Sequence, residues 1–287
     1  MRQLHPDGHE FDFDSASADE IAVFLADGAV AAGPAVMDVY EQGGDVWSKS
    51  DGSPVTVADQ RAEAIVCEKL SQAFPPTPII AEESMSLGKP AAVADRFLLV
   101  DPLDGTKEFL ARNGEFTINI ALIRKGLPVA GAVYAPALGR LWFGGEHAFV
   151  CEAPVGGGLP NRDAWRPITV RQAPEALVVL ASRSHGDSQT EAFLSRLPIA
   201  ERRSRGSSLK FCVIAEGLAD VYPRFGPTME WDTAAGDAVL RAAGGVVLDP
   251  SDASLVYGKT ADGLRNGPFV AWGDAETARR FAVREGL

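Results

Sequence analysis

The chain has 287 residues, a length that accommodates two domains or one large one at roughly 150 residues per domain. Hydrophobic residues make up 46% and charged residues 23%, ordinary values that exclude a disordered or fibrous chain. Thirty-nine acidic against 27 basic side chains leave a net charge of −12, which argues against a nucleic-acid polymer or an anionic membrane as partner. A small anionic substrate is still compatible, because metal ions and a few local cations can reverse the field inside one cleft. Cys67, Cys151 and Cys212 are odd in number and lack a C-x-x-C pair, so neither a disulfide framework nor a thiolate zinc site is legible. Met1 to Asp14 is polar and acidic, unlike a signal peptide. The longest apolar stretches are broken by Gly, Pro or charge short of the ~20 residues a spanning helix needs. The expectation is a cytoplasmic protein without membrane insertion.

In chain order, Ser17 and Glu20 form an S-x-x-E capping box before an Ala/Val-rich helix running to about Tyr40. Trp47 to Val57 reads as a hairpin turning at Asp51-Gly52, and Asp59 to Phe74 as an amphipathic helix. Strand-like runs follow at Pro78–Ala81, Phe97–Val100, Phe116–Ile123, Val129–Tyr134, Arg140–Phe143 and Ala148–Cys151. Residues 153 to 167, with three consecutive glycines and three prolines, read as a linker. Beyond it strands and helices alternate: strand Leu177–Ala181, helices Ser188–Leu197 and Ser207–Gly217, strand Asp220–Tyr222, helix Asp232–Ala243, strands Val246–Leu248 and Phe269–Trp272, and helix Ala275–Arg284. The expected organisation is an α+β metal-binding domain over 1–160 and an α/β substrate-reading domain over 161–287.

Chemistry concentrates in Leu98-Leu99-Val100-Asp101-Pro102-Leu103-Asp104-Gly105-Thr106-Lys107-Glu108-Phe109, where a buried strand runs into two carboxylates three residues apart. Pro102 fixes φ and Gly105 permits a tight turn, so Asp101 and Asp104 can face one point. Hard oxygen donors without histidine suit Mg²⁺ rather than zinc. Gly105 and Thr106 offer backbone N–H groups and a hydroxyl to a phosphate oxygen. A bare D-x-x-D would be an ordinary strand-end turn with solvated acids; the full D-P-L-D-G-T string is far more specific. Ile79-Ile80-Ala81-Glu82-Glu83-Ser84 delivers further carboxylates from a strand end, and Trp231-Asp232-Thr233-Ala234-Ala235-Gly236 puts Asp232 at a helix start. Alone, Glu82 and Glu83 read as a solvated loop, and Asp232 and Asp59 as helix N-caps.

Together and in this order, D-P-L-D-G-T, the E-E-S strand end and W-D-T-A-A-G resemble the Mg²⁺-dependent, lithium-sensitive inositol monophosphatase superfamily, from about Ser48 to Gly245. D-P-L-D-G-T-K-E-F, Arg183-Ser184-His185 and Tyr222-Pro223-Arg224-Phe225-Gly226 look like its bacterial, CysQ-type 3′(2′),5′-bisphosphate nucleotidase branch. The resemblance implies a layered α-β-α-β-α sandwich of the Mg-dependent sugar/nucleotide phosphatase type. It implies two or three Mg²⁺ ions held by the carboxylates of Glu82, Asp101, Asp104 and Asp232 and by the Leu103 carbonyl, with Asp101 shared between two ions. Thr106, oriented by Asp59, would position the attacking water, with Glu82 among the catalytic groups and Glu83 behind the ligands. Carboxylates about 5 Å apart repel by about 3 kcal/mol at an effective dielectric near 20, so four in one pocket require cations or protons.

For substrate, Arg224 stands where inositol monophosphatases usually carry an acid, and Lys210 adds a second cation, as a bisphosphate needs. The resemblance gives Gly105, Thr106, His185, Ser207, Lys210, Arg224 and Asp232 as substrate contacts and 3′-phosphoadenosine 5′-phosphate as substrate, hydrolysed at its 3′-phosphate to AMP. An inositol or sugar phosphate is the alternative, a non-catalytic metal or nucleotide sensor the remote one. The partner is a small phosphate ester, and a homodimer is allowed. A serine hydrolase is disfavoured because no G-x-S-x-G occurs, and a P-loop because Ala253 stands where Gly is required before Gly258-Lys259-Thr260.

Overall fold

A computed structural model describes residues 3–4, 10–11, 13–43, 46–48, 54–89, 93–182 and 188–281. The expected capping box is formed: the Ser17 hydroxyl accepts from Glu20 N–H while the Glu20 carboxylate takes Ser17 N–H, opening helix Ala18–Gln42. This helix is long and apolar enough to cross a membrane, contrary to the expectation from its Gly, Pro and charged positions, but 67% of its most apolar window is buried inside the protein. Helix Val57–Ala73 packs beside it. Strand Val46–Ser48 pairs antiparallel with Pro54–Thr56, as the hairpin reading requires, while its Asp51-Gly52 turn lies outside the described residues.

Among the described residues two large sheets form the frame. The first has seven strands in the spatial order Arg166–Ile168, Ala148–Glu152, Arg140–Gly144, Leu127–Ala135, Thr117–Arg124, Arg96–Asp104 and Ile79–Ala81. All neighbours are antiparallel except the last pair, which is parallel. The second has five strands, ordered Ile199–Arg205, Leu177–Ser182, Val221–Arg224, Phe269–Trp272 and Val246–Leu248. Its first three are mutually parallel and its last two join antiparallel.

The layers run helix, sheet, helix, sheet, helix. The first two helices bury Ile21, Leu25, Val36, Val66 and Leu70 against Leu98, Ile118, Ile120 and Tyr134 on one face of the seven-stranded sheet. Helices Leu209–Ala215 and Glu230–Ala242 fill the space between the sheets, where Phe211, Ala235 and Leu240 meet Leu99, Ala121 and Val133. Helices Ser188–Leu194 and Ala275–Arg280 lie on the outer face of the second sheet, with Phe193, Leu194 and Ala278 against Leu177, Val179 and Trp272. The layered α-β-α-β-α expectation therefore holds.

Two local readings are corrected, and one strand appears where the sequence pattern gave none. The expected linker over 153–167 ends in a strand, Arg166–Ile168, that extends the first sheet antiparallel to Ala148–Glu152. Pro167 fits there because an edge strand can spare a ladder donor. Ile199–Arg205 is an edge strand that carries Glu201, Arg202, Arg203 and Arg205 and is exposed along most of its length, so it shows no apolar alternation. Charge at an edge also blocks strand addition. Finally, Glu82 and Glu83 open a short helix, Glu82–Ser86, rather than a loop.

Helix Glu230–Ala242 approaches the first sheet closely at Gly131, where an added Cβ would meet Ala235 O at 2.8 Å and Ala238 Cβ at 2.7 Å. Overpacking of this kind costs about 1–3 kcal/mol. Gly131→Val should lower the urea midpoint accordingly with an unchanged denaturant slope; an unchanged midpoint would show that this contact does not set the spacing of the layers.

Candidate active site

Strand Arg96–Asp104 carries the two Asp residues of the D-P-L-D segment at its end. Its ladder with Thr117–Arg124 pairs Asp101 with Asn119, skips Pro102 and Leu103, and resumes with Asp104 opposite Thr117. Pro102 has no N–H to contribute, so the strand bulges there. Leu103 N–H turns back to Asp101 Oδ1 at 3.0 Å, while the Leu103 carbonyl lies 3.5 Å from the Thr106 hydroxyl, a marginal contact. Gly105 follows with φ 92°, a conformation that favours glycine, and opens the short helix Thr106–Leu110.

Asp232 and Asp59 are each at the third position of a helix rather than at the N-cap. Helix Glu230–Ala242 starts two residues before Asp232, whose Oδ2 accepts Met229 N–H at 2.8 Å. Helix Val57–Ala73 is capped by Thr56, whose N–H and hydroxyl both donate to Asp59 Oδ2 at 2.7 Å. Either carboxylate closes its helix end in the manner of the capping-box acid. Glu83 is buried, and its N–H donates to Glu63 Oε2 at 2.7 Å while Ser84 N–H donates to Oε1 at 2.9 Å. Glu63 thereby holds the start of the helix on which Glu82 stands.

One cleft of about 280 Å³ is lined by Glu82, Asp104, Gly105, Thr106, Ser207, Lys210, Arg224 and Asp232, with Glu108 and Tyr222 among its other walls. Asp101 is behind this lining and is 1% exposed. Burial raises the Asp101 carboxyl well above the usual range, and the carboxylates of Glu82, Asp104 and Asp232 raise it further. Burial likewise lifts Asp232, reinforced by Asp104 and Glu82 and opposed by the Met229 N–H and the Arg224 cation. Asp101 and Glu82 are hydrogen-bonded to each other through their side chains. Loss of solvation is the larger cause of both shifts, and the crowding of four carboxyls adds to it. The donor set is all oxygen, so it fits a hard divalent cation such as Mg²⁺.

Two cations face the acids. Lys210 is 4% exposed, and its Nζ donates to Ser207 O at 2.6 Å and Arg205 O at 3.3 Å, lying 5.0 Å from the Tyr222 ring centroid. Arg224 is 8% exposed and donates to Gly226 O at 3.2 Å and Pro227 O at 3.0 Å. Burial pushes Lys210 down to about 8, with Asp104 opposing the shift and Arg224 reinforcing it. Neutral carbonyls satisfy the hydrogen bonds of both side chains without cancelling their charge, and among the described residues neither has an ion-pair partner within 4 Å.

Ser207 has φ 52°, a left-handed conformation unusual for a non-glycine residue. Its hydroxyl donates to Asp104 Oδ2 at 2.5 Å, and Gly206 N–H donates to Glu115 Oε2 at 2.8 Å. His185, expected among the substrate contacts, lies outside the described residues, as do Arg183 and Ser184. Thr117, Asn119, Ser208, Glu63, Glu108 and Glu115 belong to the site or its support and were not legible in sequence. A buried Asn inside an otherwise apolar strand, Ile118-Asn119-Ile120, was the available signal for one of them.

A strand-end D-P-L-D-G-T beneath a cleft of carboxylates, in a five-layer fold, defines a phosphatase class, and the chain belongs to the inositol monophosphatase family, which it matches over residues 17–277. Within that family it is similar to CysQ proteins. The 3′(2′),5′-bisphosphate nucleotidase CysQ of Escherichia coli (strain K12) is 45% identical over 229 residues, covering 79% of this chain and 89% of that protein. The CysQ of Buchnera aphidicola subsp. Acyrthosiphon pisum is 41% identical over 231 residues, 80% of this chain and 84% of that one. The crystal structure of CysQ from Bacteroides thetaiotaomicron superposes with a TM-score of 0.73 at 35% identity, covering 92% of this chain and 98% of that one.

Asp101 and Asp232 hold a proton more tightly folded than unfolded. As pH rises above about 4 the unfolded chain releases its protons first, so these groups remove stability progressively toward their raised folded values. In EDTA, melting temperature should therefore fall as pH rises above the ordinary carboxyl range near about 4. Asp101→Asn keeps the acceptor for Leu103 N–H but not the charge, so it should flatten that slope and melt a few degrees higher at the alkaline end. Parallel curves for wild type and variant would show that Asp101 is not under charge strain.

Proposed function

We propose that the protein is a Mg²⁺-dependent 3′(2′),5′-bisphosphate nucleotidase that removes the 3′-phosphate of 3′-phosphoadenosine 5′-phosphate to give AMP. The observation that carries this reading is the division of one cleft into a crowded acidic wall and two buried cations, Lys210 and Arg224, bonded only to carbonyls among the described residues. A buried cation without a direct ion-pair partner is costly, and the second phosphate of a bisphosphate would supply one. The 45% identity to the CysQ of Escherichia coli supports the same substrate class.

The residues that would hold the ions are Glu82, Asp101, Asp104 and Asp232 through their carboxylates, and Leu103 through its carbonyl. When bound, two or three Mg²⁺ ions supply Lewis-acid polarisation of phosphoryl oxygens and a water of lowered pKa. Thr106, supported by Asp59, orients the attacking water, and Gly105 and Thr106 offer first-turn N–H groups that no intrahelical carbonyl uses. Ser207, Lys210, Arg224 and His185 receive the nucleotide and its distal phosphate. Phosphoryl transfer asks chiefly for positioning and charge stabilisation, which these groups provide without a Ser or Cys nucleophile. Glu83 supports the ligands from behind Glu82, on a helix start that Glu63 holds through the Glu83 and Ser84 N–H groups.

A cytoplasmic location, lithium sensitivity and a role in clearing the nucleotide by-product of sulfur assimilation belong to the same proposal, which is compatible with a monomer or a homodimer. An inositol or sugar phosphate is the second reading, favoured by the family match alone.

Phosphate release measured with Mg²⁺ and with EDTA should be metal-dependent and faster from 3′-phosphoadenosine 5′-phosphate than from inositol 1-phosphate. A preference for the inositol ester would overturn the substrate assignment while leaving the metal chemistry intact. Arg224→Glu should reduce kcat/KM for the bisphosphate by about 10–100-fold and act far less on a monophosphate ester. Equal losses would show that Arg224 does not read the second phosphate. Asp101→Asn should abolish turnover of both.

A further inference from the structure

Asn119 sits on strand Thr117–Arg124 directly opposite Asp101, two residues from the Thr117 that faces Asp104. Its side chain is 1% exposed. Nδ2 donates to Asp104 Oδ2 at 3.3 Å and to Ser208 Oγ at 3.1 Å, while Oδ1 accepts from the Thr117 hydroxyl at 2.9 Å. Ser208 in turn donates its hydroxyl proton to the Asp232 carbonyl at 2.7 Å and its N–H to Asp104 Oδ2 at 2.8 Å. A single carboxamide and a single hydroxyl therefore tie the end of strand Arg96–Asp104 to the first turn of helix Glu230–Ala242.

The arrangement on Asp104 is one-sided. The Asn119 amide, the Ser207 hydroxyl and the Ser208 N–H all converge on Oδ2, and among the described residues no hydrogen bond reaches Oδ1. Three donors on one oxygen fix the rotation of the carboxylate and reserve the other oxygen. Only a neutral double donor suits position 119. An Asp there would bring a further negative charge against Asp104, and a Leu would leave Oδ2 and Ser208 Oγ each short of a donor in a buried place.

We propose that Asn119, acting through Ser208, is a positioning residue that holds Asp104 and Asp232 in register for a divalent cation, and so sets metal affinity rather than substrate affinity. The inference rests on the reading of Asp104 and Asp232 as metal ligands. Partners that orient metal ligands in this way typically contribute about 10–100-fold in metal affinity. Apolar packing already holds helix Glu230–Ala242 on the sheet, with Ala235 and Leu240 among Leu99 and Ala121; Asn119 and Ser208 add the directional link between the two ligand-bearing ends.

The test is calorimetric titration of Mg²⁺ into the substrate-free, full-length protein, for wild type, Asn119→Ala, Ser208→Ala and the double variant. Each single variant should bind Mg²⁺ about tenfold more weakly or worse. The double variant should lose less than the product of the two, because both substitutions cut one tether. Turnover lost at low Mg²⁺ should return as Mg²⁺ is raised, with KM for the phosphate ester within about twofold of wild type, a split that general loosening of the fold would not give. Ser208→Ala leaves the backbone N–H on Asp104 in place and carries the test if Asn119→Ala does not fold. Unchanged Mg²⁺ affinity in a cooperatively melting variant overturns the role of Asn119 alone. So does a turnover deficit that high Mg²⁺ leaves untouched. A wild type that binds no divalent cation overturns the metal reading and this inference with it.

Discussion

Repulsion among Glu82, Asp101, Asp104 and Asp232 is the constraint to which the surrounding structure answers, because each pair of such charges costs about 3 kcal/mol at about 5 Å. None of the four is left on a free loop. Asp101 and Asp104 end a central strand, Glu82 begins a helix that follows the parallel neighbour strand, and Asp232 lies in the first turn of a long helix. Placement near helix N-termini offsets part of the repulsion through the helix dipole, typically by about 0.3–1 kcal/mol per charge. That is too little to balance the site, so protons or divalent cations must make up the difference, and the raised Asp101 and Asp232 carboxyls record the deficit.

The same cleft poses the complementary problem. Lys210 and Arg224 are buried charges whose hydrogen bonds, among the described residues, end on carbonyl groups. Their donors are satisfied while their field remains, and that field points into a cleft whose other side demands cations. A phosphate ester with two well-separated anionic groups answers both demands at once, one group meeting the metal side and the other meeting the basic side. This is how a chain with a net charge of −12 can still be organised around an anionic ligand: the local field, and not the total, decides.

Between the two walls the structure uses polar tethers rather than apolar contact. The 205–208 segment is pinned by Glu115 at Gly206, by Asp104 at Ser207 and Ser208, and by Asn119 at Ser208. Gly206 must be small there, since an added Cβ would lie 2.7 Å from the Glu115 carbonyl. The left-handed backbone of Ser207 persists because its surroundings over-determine it, as is common where a site stores conformational strain. Hydrogen bonds are directional, so they locate a carboxylate oxygen to a fraction of an ångström where packed methyl groups would not.

Local chemistry made much of this protein legible in one dimension. The capping box at Ser17, the helix and strand periodicities and the D-P-L-D-G-T turn depend on residues a few positions apart, and φ limits at Pro102 and Gly105 act within a single turn. Asp101 and Asp104 stand out for the same reason, in a short, chemically unusual string, whereas Glu82 and Asp232 are ordinary in isolation and were singled out only by the resemblance to a phosphatase family. Elements whose character depends on what lies beside them were not legible. Arg166–Ile168 became a strand only because Ala148–Glu152 offered an edge, and Ile199–Arg205 carries charge because it is itself an edge. Asn119, Ser208, Glu63 and Glu115 gained their roles from partners 15 to 91 positions away. The sequence by itself determined where the chain would turn and which short strings carry the expected hard oxygen donors, because those are properties of side-chain type and backbone φ. Which oxygen of Asp104 stays open, and that Lys210 and Arg224 face the acids across one cleft, was decided only when the two sheets were packed on a shared helical layer, because hydrogen-bond geometry and dielectric environment exist only between segments brought together.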